Sequence, residues 1–445
     1  MAGVIEGFYG MPWSPAERRE LFGWMAAWGL DTYLYAPKDD LKHRALWREE
    51  YTAAEAASLG GLIRDCREHG LRFIYALGPG LDLAYSDPAD QRRLETRFGQ
   101  MLALGARDFA LLFDDIPDRM SEADGCEFPS FAAAHCHTAN ALFQWTRERA
   151  TEGRFLFCPT PYCGRMAMRE LGGAGYLETA GRELAPDIEI LWTGPEIISR
   201  EITVAHVREV AAKLRRKPVI WDNLHANDYD RRRFYCGPYS GRPAELRAEV
   251  RGLLSNPNNE FPLNYVPLRT LARFARSPGE WEPRESFLAA LAEWLPRFHL
   301  PGAELPLEDL VLFADCFYLA HETGPAALAF ADTARSLLNR DPAGWGGEIT
   351  EFRQRLARLR MFCWRVARLE DRALFYALSR GAWDLGEELD LLDRCLATLA
   401  AGGRDAVLSS DFHLPGTYRG GFVSALQRLL VQHPDGTFTP GVEGA

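Results

Sequence analysis

Eight short apolar runs, spaced through the first 265 residues with helical patterns between them, constrain this chain more than any other feature. They are GVIEGFY (3–9), TYLYA (32–36), RFIYAL (72–77), FALLF (109–113), RFLFC (154–158), IEILWT (188–193), PVIWD (218–222) and a weaker eighth, EFPLNYV (260–266). β-Branched and aromatic residues crowd these runs. Most are apolar throughout rather than alternating, the pattern of parallel strands covered on both faces. Helix start signals fall between them. Ser14-Pro15-Ala16-Glu17 joins an N-cap, a proline at N1 and a capping-box glutamate, and Thr52 with Glu55 and Asp87-Pro88 repeat the theme. Eight strand–helix units in about 270 residues predict an α/β fold, a (β/α)8 TIM barrel over 1–276. An open doubly wound sheet is the alternative, but Gly78-Pro79-Gly80 lacks the third glycine of its fingerprint.

Beyond the barrel the pattern changes. Ser277-Pro278-Gly279 and Pro283 mark a linker, after which apolar residues recur at helical spacing in SFLAALAEWLPRF, LEDLVLFADCFYLAH, EITEFRQRLARLRMFCWRVARL and EELDLLDRCLATLAA. An all-α C-terminal domain is expected over 285–432, with a flexible tail over 433–445.

Charge narrows the partners. A net charge of −11 disfavours nucleic acid and anionic membrane surfaces. The N-terminus MAGVIEGFYG shows no signal-peptide pattern and no stretch is apolar enough to span a membrane, so a cytoplasmic protein is expected. Nine cysteines, an odd number without a CxxC, argue against a disulfide framework or zinc ribbon. His135-Cys136-His137 lies within a helical pattern, where ligands so close rarely converge on one ion, so the stretch carries little weight as a metal site. Only four lysines, Lys38, Lys42, Lys213 and Lys217, stand against 47 arginines. The bias points to a GC-rich, bacterial genome, and a lysine retained against it is a candidate for a site that needs a compact ammonium.

In a TIM barrel the chemistry sits at the C-terminal ends of the strands. There the sequence places Gly7-Phe8-Tyr9-Gly10, Lys38-Asp39-Asp40, Asp114-Asp115, Pro159-Thr160-Pro161-Tyr162 and the run from Asp222-Asn223 to Asp228-Tyr229-Asp230. Ser255-Asn256-Pro257-Asn258 stands just before the eighth run. Carboxylates, amides, one lysine and aromatics suit a neutral, hydroxyl-rich ligand, with Trp221 and Tyr162 as apolar faces for a sugar ring. Any one of these residues has a plainer reading as a turn former, N-cap or rim salt bridge, and His225 reads as structural. Asp114-Asp115 stands out because it follows the most apolar run directly. Partial desolvation there should raise one pKa toward the working range of a general acid. Two adjacent carboxylates fit neither the retaining nor the inverting spacing of ordinary glycosidases. They fit substrate assistance, in which a 2-acetamido group is the nucleophile.

GVIEGFYGMPWS, TYLYAPKDDLKHR, FALLFDDI, FLFCPTPYCG, WTGP and VIWDNLHANDYD, in this order, resemble glycoside hydrolase family 84, the O-GlcNAcase and β-N-acetylglucosaminidase family. The resemblance covers residues 3 to 265. It implies a retaining exo-hydrolase of terminal β-linked GlcNAc, including O-GlcNAc glycopeptides, that works through an oxazoline intermediate without metal or cofactor. Carried over by position, Asp114 orients the acetamido group and Asp115 is the general acid and then base. Tyr162 holds the acetamido oxygen, Trp221 walls the pocket and Gly7 and Lys38 contact hydroxyls. Asn223 positions the acetamido and acid groups, while Asp228 and Asn256 grip the far hydroxyls. Pro161 departs from the acidic residue expected in animal members. The resemblance leaves open a homodimer through the helical domain. Competing readings are a hexosaminidase or hyaluronidase-type hydrolase of other glycans and a non-catalytic carbohydrate-binding protein.

Overall fold

The computed structural model describes residues 1–302, 304–403, 406–409, 418 and 420–441. The chain divides into two compact units, one of residues 1–229, 239–259 and 271–281 and the other of 230–238, 260–270 and 282–445. The boundary is therefore interleaved rather than the single cut expected between 276 and 285.

The first unit is a closed barrel of eight parallel strands in chain order. They are β1 (Ala2–Glu6), β2 (Thr32–Tyr35), β3 (Arg72–Leu77), β4 (Asp108–Leu112), β5 (Phe155–Cys158), β6 (Ile188–Trp192), β7 (Val219–Asp222) and β8 (Gly252–Ser255). β1 pairs with β8, through Val4 opposite Ser255, and closes the sheet. Helices cover its outside and start where the sequence signals them. Ser14 and Thr52 form complete capping boxes at α1 (Pro15–Trp28) and α2 (Ala53–Glu68), and Asp87 caps α3 (Pro88–Ala103), with Pro88 in its first turn.

The eighth strand is a correction. Residues 260–266 are not a strand: Phe261–Asn264 is a turn of 3-10 helix that runs into the helix Tyr265–Arg276. The true β8 is the four-residue run GLLS, too short to stand out by periodicity beside the longer aromatic run that follows. Its glycine lies against Met1, where a Cβ would come within 2.6 Å of the methionine side chain. The shift moves Asn256 from before the last strand to its C-terminal end.

Side chains alternate along a strand, so one parity of each strand fills the barrel. The inner set is Ile5, Leu34 and Ala36, Ile74 and Ala76, Ala110 and Leu112, Leu156 and Cys158, Leu191, Val219 and Trp221, and Leu254. Two residues beyond these, on the same parity, come Gly7, Lys38, Asp114, Asn223 and Asn256. The residues that pack the barrel thus hand over in phase to the residues that line its mouth.

The second unit carries the helices Pro283–Trp294, Leu307–Cys316, Pro325–Asn339, Glu348–Val366 and Arg372–Gly402, which take up most of each of the four helical stretches read from the sequence, although the second stops at Cys316 rather than continuing to His321. It is not purely helical. Leu408–Ser409, Leu430–Gln432 and Thr437–Pro440 form a small antiparallel sheet. Residues read as the start of a flexible tail therefore pair as strands, with Gln432 opposite Phe438. Residues 442–445 of that tail lie outside the described residues. Among the described residues no helix is long and apolar enough to cross a membrane.

Backbone contact at β1 makes a test. A Cβ on Gly3 would lie 1.8 Å from the Thr32 carbonyl oxygen, whereas one on Gly23 in α1 would meet nothing. Gly3→Ala should destabilise by roughly 1–3 kcal/mol or more through overpacking, while Gly23→Ala should stabilise by roughly 0.5–1 kcal/mol through helix propensity. Urea midpoints of the two variants should move in opposite directions.

Candidate active site

The mouth of the barrel gathers all nine residues singled out in the sequence. Its centre is Asp114, only 5% exposed, whose Oδ2 accepts from Lys38 Nζ at 2.5 Å. The lysine side chain is itself buried and its ammonium sits 5.4 Å from the Trp221 ring centroid. Gly7 completes this corner, since a Cβ there would come within 2.6 Å of Trp221 Cζ2. Burial would raise the Asp114 pKa, but the charges of Lys38 and Arg44 outweigh it and hold the carboxyl below its ordinary value. The expectation that desolvation raises a pKa here is thus reversed at the buried member of the pair, because a cation is buried with it. Asp114 Oδ1 has no hydrogen-bond partner.

Asp115 differs in every respect. It is exposed, and its backbone adopts φ 50°, in the left-handed region that residues other than glycine seldom enter. The Tyr162 hydroxyl donates to its Oδ1 at 2.7 Å and the Tyr9 hydroxyl to its Oδ2 at 3.0 Å. Burial and the Asp115 charge raise the pKa of both phenols, so both stay protonated donors. The Tyr9 backbone N–H in turn donates to Asp228 Oδ2 at 2.8 Å. Desolvation pushes the Asp228 carboxyl upward.

A third group lies at the ends of β7 and β8. Asn256 Nδ2 donates to Asn223 Oδ1 at 2.9 Å, and Asn223 Nδ2 donates to the Ile197 carbonyl at 2.8 Å. Asn256 Oδ1 and Trp221 Nε1 are buried without partners, so an acceptor and a donor remain at this edge. Gly7 through Trp221, Lys38, Asp114, Asp115, Tyr162 and Asp228 through Tyr9 form one connected set, with the Asn223–Asn256 pair beside it.

Three neighbours escaped the sequence reading. Tyr9 carries no signal beyond its place in the Gly7–Gly10 loop. Arg44, in the motif that supplies Lys38, donates to the Asp114 carbonyl at 3.2 Å and the Asp115 carbonyl at 2.5 Å. His43 is fully buried beside it, with Nδ1 2.8 Å from the Ala76 carbonyl; burial and the Lys38 charge lower its pKa to about 4, so it is neutral. An arginine in an arginine-rich chain gave no signal, and neither did a phenol among fifteen tyrosines.

His135, within the helix Phe131–Arg147, lies between the Tyr85 and Tyr176 hydroxyls at 2.8 and 2.6 Å. His225 is fully buried. Among the described residues no group of three or more His, Cys, Asp or Glu is arranged to hold a metal ion.

A family model described as beta-N-acetylglucosaminidase matches residues 2–304. The proteins named Protein O-GlcNAcase of Rattus norvegicus and Mus musculus are each 49% identical to the chain over 277 residues. That match covers 62% of this chain but only 30% of each relative, so the chain spans about a third of their length. A solved structure of a mutant O-GlcNAc hydrolase from Thermobaculum terrenum superposes with a TM-score of 0.76 at 28% identity, over 89% of this chain and 84% of that one.

The Lys38–Asp114 pair can be tested through its pH dependence. Asp114 is depressed in the folded state, so its contribution to stability is present above the unfolded carboxylate pKa and is lost as pH falls through the folded value. Lys38→Met removes the cation and leaves desolvation to raise that pKa. The variant should lose about 3–5 kcal/mol at neutral pH. Its deficit should shrink on acidification toward about pH 4, as Asp114 is protonated. Denaturation at both pH values, with a constant deficit, would contradict the assignment.

Proposed function

The chain belongs to the beta-N-acetylglucosaminidase family, and from that premise we propose that it is a retaining exo-hydrolase of terminal β-linked GlcNAc using substrate assistance. The reading extends to GlcNAc on serine or threonine of glycopeptides, in line with the names of its relatives. One observation carries it: Asp114 is buried, held ionised by Lys38, and keeps one oxygen without a partner. A carboxylate held ionised in this way is a poor general acid and a good acceptor for an amide N–H.

On this reading Asp114 Oδ1 takes the acetamido N–H and turns the acetamido oxygen toward the anomeric carbon. That oxygen attacks as Asp115 gives its proton to the glycosidic oxygen, the C–O bond to the leaving group breaks, and an oxazoline forms. Asp115 then takes a proton from water, which opens the oxazoline with a second inversion and so retains configuration. Tyr162 moves its donor from Asp115 Oδ1 to the acetamido oxygen when the sugar enters. Trp221 supplies the apolar wall. Lys38 keeps Asp114 charged, and its remaining donors meet sugar hydroxyls. Asn223 is held by Asn256, whose free oxygen meets a far hydroxyl, as does Asp228. The nine free cysteines, eight of them buried, fit a reducing compartment such as the cytoplasm.

Hydrolysis of para-nitrophenyl GlcNAc and its N-trifluoroacetyl analogue tests the mechanism, because fluorine weakens the acetamido nucleophile. The analogue should react at least about a hundredfold more slowly, and both Asp114→Asn and Asp115→Asn should lose about 10²–10⁴ in kcat. A rate indifferent to fluorination would rule out the acetamido nucleophile while leaving the fold untouched.

A further inference from the structure

We propose that Arg44 is the positioning residue that sets the angle between the two carboxylates, by clamping the backbone carbonyls of Asp114 and Asp115 from behind. The inference rests on the glycosidase reading above for its kinetic test, but its structural argument is independent of it.

Adjacent residues of an extended strand point to opposite faces, so Asp115 would ordinarily be directed away from the barrel mouth that Asp114 lines. It is brought to the same side by a left-handed backbone, φ 50°, at the first turn after β4. Aspartate enters that region more readily than most residues but still at a cost, and glycine would be the undemanding choice. The carboxyl therefore has to be retained against the backbone's preference, and the surroundings must fix the turn. Arg44 is placed to do so. It is 7% exposed, and its two terminal nitrogens divide between two successive carbonyls, Nη1 to Asp114 and Nη2 to Asp115. A planar guanidinium that engages both oxygens fixes the orientation of both peptide planes.

The clamp is itself anchored. The loop from Lys38 to Arg44 is held by Tyr35 and Tyr51, whose hydroxyls donate to Asp40 at 2.9 and 2.7 Å. Arg97 donates to the Lys42 carbonyl at 2.6 Å, and the Gly78 N–H to the His43 carbonyl at 2.9 Å. The residue before the pair is tied as well, the Phe113 carbonyl accepting from Thr160 Oγ1 at 2.9 Å. One short loop thus presents two cations to the pair with different tasks. Lys38 meets a carboxylate, and Arg44 meets the backbone.

Two variants and two readouts test this. In Arg44→Met, kcat on a para-methoxyphenyl glycoside, whose departure needs the acid, should fall by about a hundredfold, against less than about tenfold on a dinitrophenyl glycoside, with KM within about threefold. Arg44→Lys keeps the charge but offers a single point donor, and should stay within about threefold of the methionine variant. A crystal structure of either variant should show Asp115 leaving the left-handed region. If Arg44→Met does not fold, the lysine variant carries both measurements. Equal losses on both leaving groups, an Arg44→Lys enzyme as active as the parent, or Asp115 still near φ 50° in a variant would each overturn the clamp. Failure of the parent enzyme to hydrolyse any GlcNAc glycoside would instead defeat the glycosidase reading, and the Asp115 backbone angle would still decide the clamp.

Discussion

Burying a charged carboxylate is the constraint around which the barrel mouth is organised. Asp114 leaves water at the end of the most apolar strand, and an isolated charge there would protonate rather than persist. Lys38 prevents this only because it is buried as well, so the pair has to be built as a unit. Its Nζ lies 5.4 Å from the centroid of the Trp221 ring, which offers a cation an apolar but attractive face. The ring needs the space that a side chain at position 7 would occupy, which accounts for Gly7. Glycine, lysine, tryptophan and aspartate from four different strands are thereby coupled. The closed barrel is what brings those four strand ends to one place.

Much of this was legible because strand parity is simple arithmetic. Once Leu34-x-Ala36 and Ala110-x-Leu112 are recognised as inner residues, Lys38 and Asp114 follow two positions later on the same face. Seven strands and the capping boxes at Ser14 and Thr52 came from local signals that the fold preserves. Where the reading failed, a non-local cause had intervened. GLLS is a strand because β1 and β7 flank it, whereas EFPLNYV has strand-like composition but turns into helix at Tyr265. The strands near the C-terminus are only two to four residues long and exist through their mutual pairing. Electrostatics misled in the same way. Desolvation was visible in the apolar run before Asp114, but the sign of the shift depended on a lysine 76 residues away. Arg44 was hidden for a similar reason, since its partners are backbone carbonyls that carry no residue-type signature.

Adjacent carboxylates suit the proposed mechanism, in which the protein supplies no nucleophile from across the sugar. Two acids with one shared environment would compete for a proton, each raising the pKa of the other. Here their environments are made unlike within a single peptide step. Asp114 lies on the inner parity, is desolvated, and is neutralised by a buried lysine. Asp115 is exposed to solvent at the same mouth and is met by two phenolic donors. The left-handed turn at Asp115 keeps both carboxyls at the barrel mouth while leaving them in unlike surroundings, as the proposed division into an acceptor and an acid requires. An acceptor beside an acid is the arrangement demanded when the attacking oxygen belongs to the substrate. On the proposed mechanism the protein has only to aim that oxygen, and a carboxylate held ionised by a buried lysine is suited to aiming.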